Sequence, residues 1–129
     1  SEMIVEHSYL YSRGRIDPAL MTPAEHAALP PVRRRMTWRN PKNQRQALYL
    51  ASHAGAIVGM DQTEATRLLQ GLIDDATQPK HVYCHQWQPG DVLMWDNRAT
   101  VHRGTEYDTA AEPRVVRRTV LKGEAPIPA

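Results

Sequence analysis

Gln88-Pro89-Gly90-Asp91-Val92-Leu93-Met94-Trp95-Asp96-Asn97-Arg98-Ala99-Thr100-Val101-His102-Arg103-Gly104 carries two turn signals on either side of a short apolar run. Pro presets one backbone angle and Gly tolerates positive ones, so residues 88–91 read as a turn. Residues 92–95 then read as extended chain, and 100–102 as a short strand that brings His102 to the border of Gly104. Just upstream, His81, Tyr83, His85 and Trp87 alternate with Val82, Cys84 and Gln86, the period-2 pattern of a strand over 81–87. Downstream, a polar loop over 103–113 leads to a further predicted strand at 114–121. Residues four apart on a strand share a face, so Arg114 and Arg118 would enter one cavity while Arg117 points away. Two guanidinium groups buried together need anionic partners. The plainer alternative is a pair of solvent-facing arginines on an edge strand.

Moving toward the N-terminus, Ala65, Leu68, Leu69, Leu72, Ile73 and Ala76 recur at helical spacing behind Asp61 and Glu64, which predicts a helix from 61 to the Thr77-Gln78-Pro79 stop. Residues 36–38 and 46–51 flank an Asn40-Pro41-Lys42-Asn43 turn and read as a hairpin. Thr22-Pro23-Ala24-Glu25 opens a short helix that Pro30-Pro31 closes, and 3–12 reads as a helix end or a short strand. Many short strands with one long and one short helix suit a β-sandwich or barrel edge better than alternating β and α units.

Composition narrows the class. Sixteen Lys and Arg against fourteen Asp and Glu are scattered apart from Arg33-Arg34-Arg35, which gives no reason to expect a nucleic-acid partner. The apolar runs are too short to span a membrane, and the first twenty residues lack a basic stretch followed by an apolar core. The expectation is a soluble chain with no membrane partner. The single cysteine, Cys84, allows no internal disulfide, so a reducing cytoplasm is the expected setting and a buried, inert thiol the expected state. His81 and His85 share a predicted strand face and could reach Asp91, but structural zinc generally takes four protein ligands. Neither a Gly-x-Ser-x-Gly elbow nor a glycine-rich phosphate loop occurs.

The run from Trp87 through Arg98, then Thr100-Val101-His102-Arg103-Gly104, Tyr107-Asp108, Arg114 and Arg118, resembles the C-terminal half of the TauD/TfdA-like Fe(II)- and 2-oxoglutarate-dependent dioxygenases. Glu6-His7, Pro30-Pro31-Val32, Ser52-His53-Ala54 and Asp75-Ala76-Thr77-Gln78 extend the likeness toward the 2,4-dichlorophenoxyacetate dioxygenase branch and across nearly the whole chain. The resemblance implies a mainly β fold with helices, the C-terminal portion of a double-stranded β-helix (a cupin-like jelly roll), in which two His and one carboxylate hold iron on one face. Carried over by match, His102 is the distal iron ligand and Arg114 the salt-bridge partner of 2-oxoglutarate, its fork suited to a carboxylate. Arg118 would contact the substrate's anionic group or support Arg114, and His53 would line the substrate region. Trp95, Asp96, Asn97 and Arg98 would hold the turn that aims His102. The implied substrate is a small organic anion, phenoxyacetate-like or sulfonate-like.

Two departures qualify the resemblance. The family's other iron ligands come from His-x-Asp or His-x-Glu, whereas the residues two after the six histidines are Tyr9, Ala28, Gly55, Tyr83, Trp87 and Gly104. The 129 residues therefore read as a single partial domain, the C-terminal half of such a dioxygenase, inactive alone. The spacing from His102 to Arg114 is also one residue longer than the family's, an insertion that a loop over 105–113 absorbs without flipping the strand. The alternative is a non-catalytic folded remnant. Either way, half of a β-helix leaves unpaired edges, and the expectation is a homo-oligomer.

Overall fold

In strand β1, Ile4–His7, Val5 and His7 are buried and Ile4 and Glu6 face the other way, the alternation that puts one side of a sheet on a core. The computed structural model describes residues 2–17, 21–108, 110–111 and 115–121. β1 is the centre of a three-stranded antiparallel sheet, between β2 (Val32–Arg35) and β5 (Ala54–Ile57). Pairing with β2 sets Val5 opposite Arg34 and Glu6 opposite Arg33, while pairing with β5 shifts register between Glu6 and His7. A shift of this kind re-aims the residue beside it, here His7.

The segment 3–12 thus holds both a strand and a helix: after β1, Ser8 caps α1 (Tyr9–Gly14) by accepting the Tyr11 amide at 3.1 Å. α1 crosses β5 at Gly55, where an added Cβ would lie 2.8 Å from Cγ of Tyr11; only glycine lets the ring approach so closely. α2, Pro23–Ala28, starts with the expected capping box, the Thr22 hydroxyl accepting the Glu25 amide while Glu25 accepts from the Thr22 amide. A second, two-stranded sheet pairs β3 (Thr37–Arg39) with β4 (Gln46–Leu48), which is the predicted hairpin with its first strand one residue later and its second shortened.

α3, Gln62–Ala76, follows its predicted bounds closely. Asp61 accepts the amides of Thr63 and Glu64 at 2.9 and 3.3 Å, filling two of the donors that a helix start leaves open. Its buried residues Ala65 and Leu69 are one turn apart, and the helix packs on β5. Val5, Met36, Ala54, Ile57, Ala65 and Leu69 form the core, with Leu50, Met60, Leu68 and Leu72 packed against it.

Beyond a 3₁₀ turn at Pro79–His81, the expected strands at 81–87, 92–95 and 100–102 and the described part of 114–121 are not strands. A period-2 sequence prepares a strand, but a ladder needs a neighbour to accept and donate its backbone hydrogen bonds. Among the described residues, 82–121 makes local turn bonds instead: the Asp91 amide to the Gln88 carbonyl, and the Ala99 and Thr100 amides to the Asp96 carbonyl. Its apolar side chains stay exposed, Val92 at 92%, Met94 at 84% and Val115 at 89%. Cys84, expected to be buried, is exposed for the same reason. No helix among the described residues is long and apolar enough to cross a membrane.

Candidate functional site

Trp95 to His102 fold into a compact turn built by Asp96. Its carboxylate accepts the Arg98 amide at 2.9 Å and Nε of Arg98 at 3.2 Å, and its carbonyl accepts the Thr100 hydroxyl at 2.8 Å. The Arg98 amide and then its side chain hold the Asp96 carboxyl below the ordinary carboxylate pKa, so it is charged when it makes these bonds. Trp95 donates Nε1–H to Oδ1 of Asn97 at 2.7 Å, and its ring lies 4.9 Å from that of His102, tilted by 57°. Arg98 also sits 4.7 Å over the Trp38 ring, a cation–π contact that ties the turn to β3. The four residues after Met94 thus turn the chain, and His102, itself exposed, rests on the ring that opens the turn.

The turn at 88–91 forms as its composition predicts, with Gly90 at φ +94° after Pro89. Its Asp91 accepts both the Gln88 amide and Nε2 of His85 at 2.9 Å, and these two hydrogen bonds, the amide's first, keep the Asp91 carboxyl below its ordinary pKa. His85 is further engaged by the Tyr83 hydroxyl at 3.2 Å, while His81 turns away, its Nδ1 3.2 Å from the Asp75 carbonyl. The pair considered for a metal on one strand face is therefore separated.

His53 stands elsewhere. The Ser8 amide donates to its carbonyl at 2.7 Å, holding the loop before β5 against the end of β1. Its ring lies 4.9 Å from the ring of His7, which is also 5.1 Å from that of Tyr49. His7 is 7% exposed, and neither of its ring nitrogens has a hydrogen-bond partner among the described residues. Burial above all, then the neighbouring His53 and Arg34, pushes its pKa down to about 4; burial also lowers that of His53. Both rings are neutral at pH 7. No local sequence pattern marks a buried histidine at position 7, because its burial is set by β5 and the loop at 53.

Arg118 is exposed, and Arg114 lies outside the described residues, so the pairing of the two across one strand face has no description here. Among the described residues no group of three His, Cys, Asp or Glu gathers where a metal could be held. His102 can offer one nitrogen to an iron ion. With no second or third donor beside it, the residues described do not by themselves fit an iron centre.

A profile of the family described as taurine catabolism dioxygenase TauD, TfdA matches residues 3–120. The chain belongs to this family. Over 116 residues it is 38% identical to the alpha-ketoglutarate-dependent 2,4-dichlorophenoxyacetate dioxygenase of Burkholderia sp. (strain RASC), covering 90% of this chain and 39% of that protein. An alpha-ketoglutarate-dependent sulfate ester dioxygenase of Pseudomonas putida is 34% identical over 88 residues, 68% of this chain and 29% of that protein. A solved structure of AAD-2 in complex with Mn(II) and N-oxalylglycine superposes with a TM-score of 0.79 at 42% identity, covering 84% of this chain and 43% of that one. The chain spans about two-fifths of the length of such TauD/TfdA relatives. The likeness at this identity extends to the strand-and-helix arrangement described above.

Proposed function

We propose that residues 1–129 are the C-terminal half of an Fe(II)/2-oxoglutarate-dependent dioxygenase domain with a double-stranded β-helix fold, acting on a small organic anion of the phenoxyacetate or sulfate-ester kind. The carrying observation is the 95–102 turn, whose internal hydrogen bonds set His102 against Trp95 within a chain that matches the TauD/TfdA family from 3 to 120. In this reading His102 supplies one imidazole to iron. Arg114 binds the remote carboxylate of 2-oxoglutarate through its two-pronged guanidinium. Arg118 meets the substrate's anionic group or braces Arg114, and His53 lines the substrate region. The remaining iron ligands belong to a His-x-Asp or His-x-Glu segment that these 129 residues do not contain. The names of the TauD/TfdA relatives support both the cosubstrate and the substrate class. A free thiol at Cys84 suits a cytoplasmic setting.

The test is an anaerobic optical titration with Fe(II) and 2-oxoglutarate, which give a metal-to-ligand charge-transfer band when both occupy one site. The expected result is no band with this chain alone. A band that His102→Ala abolishes would overturn the half-site reading, since the chain would then complete a centre with other ligands.

One observation favours a second reading, a non-catalytic remnant that self-associates: the exposed Val92, Met94, Val115 and Leu121 lie on a segment without strand partners among the described residues. The coding sequence upstream separates the two, because a His-x-Asp in the same frame supports the enzyme and a start codon at this point supports the remnant. Self-association itself is read by a sedimentation concentration series, and a monomer throughout would refute it.

A further inference from the structure

Between 82 and 108 every residue is exposed except His85 and Arg98, which are partly buried. The partners of His85 lie inside its own segment, Asp91 at 2.9 Å and Tyr83 at 3.2 Å. Arg98 reaches outside it: Cζ of its guanidinium stands 4.7 Å from the centre of the Trp38 ring, while its Nε keeps the Asp96 carboxylate at 3.2 Å. A guanidinium can do both at once, because its flat face stacks on an aromatic ring while its edge carries the N–H donors. The ring it rests on belongs to a braced element. Trp38 is the partly buried middle residue of β3, between exposed Thr37 and Arg39 and opposite Ala47 of β4. Just before β3, the Met36 amide donates to the Met3 carbonyl at 2.8 Å, and the Met36 carbonyl accepts the Tyr49 amide at 2.7 Å. Met36 itself lies in the core, so the hairpin is fixed to the chain entering β1.

The turn that carries His102 needs such a support. Its hydrogen bonds span no more than four residues, from the Asn97 contact of Trp95 to the Thr100 contact of Asp96. They set its shape and leave its direction open, since a turn keeps these bonds whichever way it points. Nor does a ladder orient it, because no strand occurs in the described part of 82–121. We propose that Trp38 is a positioning residue for His102: its ring holds the Arg98 guanidinium, Arg98 holds the Asp96 carboxylate, and the turn they anchor presents the His102 imidazole in a direction set by the β3–β4 hairpin. A metal ligand has to be aimed by the groups behind it before it can share an ion with others. That His102 ligates iron rests on the proposed function; that Trp38 orients the turn rests on the contacts alone.

The test is NMR of the metal-free 129-residue chain in a weakly aligning medium, comparing the residual dipolar couplings of the 96–102 amides and the His102 ring with those of β3 and β4. In wild type the two sets are expected to fit one alignment frame. Trp38→Leu should shrink the couplings of 96–102 and break that common frame, while Trp38→Tyr, which keeps an aromatic face for the cation, should restore it. Arg98→Gln leaves the hairpin's sequence intact and should loosen the turn as Trp38→Leu does, with the double variant no looser than either single one, because both remove the same contact. Arg39→Gln takes a cation from the neighbouring β3 position, whose side chain points to the other strand face, and should change nothing in the turn. A common frame that survives Trp38→Leu and Arg98→Gln, a Trp38→Tyr chain as loose as Trp38→Leu, or a double variant looser than both singles would overturn the role of Trp38. The couplings are read without metal, so this result stands apart from the iron titration that judges His102 as a ligand.

Discussion

Replacing His7 by leucine should flatten the dependence of stability on pH. The pKa of His7 falls from 6.5 to about 4 on folding, so between those values the unfolded chain binds more protons than the folded one. The neutral ring's contribution is then fully present above about pH 6.5 and lost as pH falls toward 4. The whole shift is worth ~3 kcal/mol, of which about 2 kcal/mol disappears between pH 7 and pH 5. Asp91 and Asp96, with pKa values below 3.8, lose their contributions only in more acid solution, outside this window. His53 is lowered too and leaves a smaller slope of the same sign. Urea denaturation followed by tryptophan fluorescence at pH 7, 6 and 5 reads the difference directly. His7→Leu, close in volume and without orphaned nitrogens, should lose about 2 kcal/mol less than wild type across that range. Parallel pH profiles for the two proteins would refute the assignment of a neutral, buried ring at this position.

Leu69→Ala, which hollows the contact of α3 with the sheet, should cost ~2–5 kcal/mol, whereas Asp61→Ala, which removes only the cap, should cost about 1 kcal/mol; chemical denaturation ranks the two. Asp96→Ala removes the acceptor of the Arg98 amide and side chain, and should alter the ring-current shifts that Trp95 imposes on His102, visible by NMR, while leaving the fold of 2–77 unchanged.

Much of the N-terminal architecture is local and so legible in the chain. The Thr22/Glu25 box, the Asp61 cap, the helical stripe through Ala65 and Leu69, and the Pro89-Gly90 turn each depend on residues within one or two turns of each other, and each forms as read. The turn through Trp95, Asp96, Asn97 and Arg98 is equally local, its hydrogen bonds spanning no more than four residues. β2 and β5 carry no strand signal in the sequence: β2 is Val-Arg-Arg-Arg, and β5 is Ala-Gly-Ala-Ile, neither an alternating nor a β-branched run. Both are strands because β1 lies between them.

The converse holds at 81–87, 92–95, 100–102 and the described part of 114–121, which read as extended chain but are not strands. Period and propensity are properties of a segment; a ladder is a property of two. The sequence by itself determined the helices, caps, turns, the family likeness and the order of residues around His102, since these follow from short-range geometry. Tertiary structure alone decided which strands are paired, that Arg34 turns inward while Arg33 and Arg35 find carboxylates, and that His7 is buried beside Tyr49 and His53, because burial and charge pairing are set by residues far along the chain, such as Glu6 for Arg33 and His53 for His7, that only the folded backbone brings together.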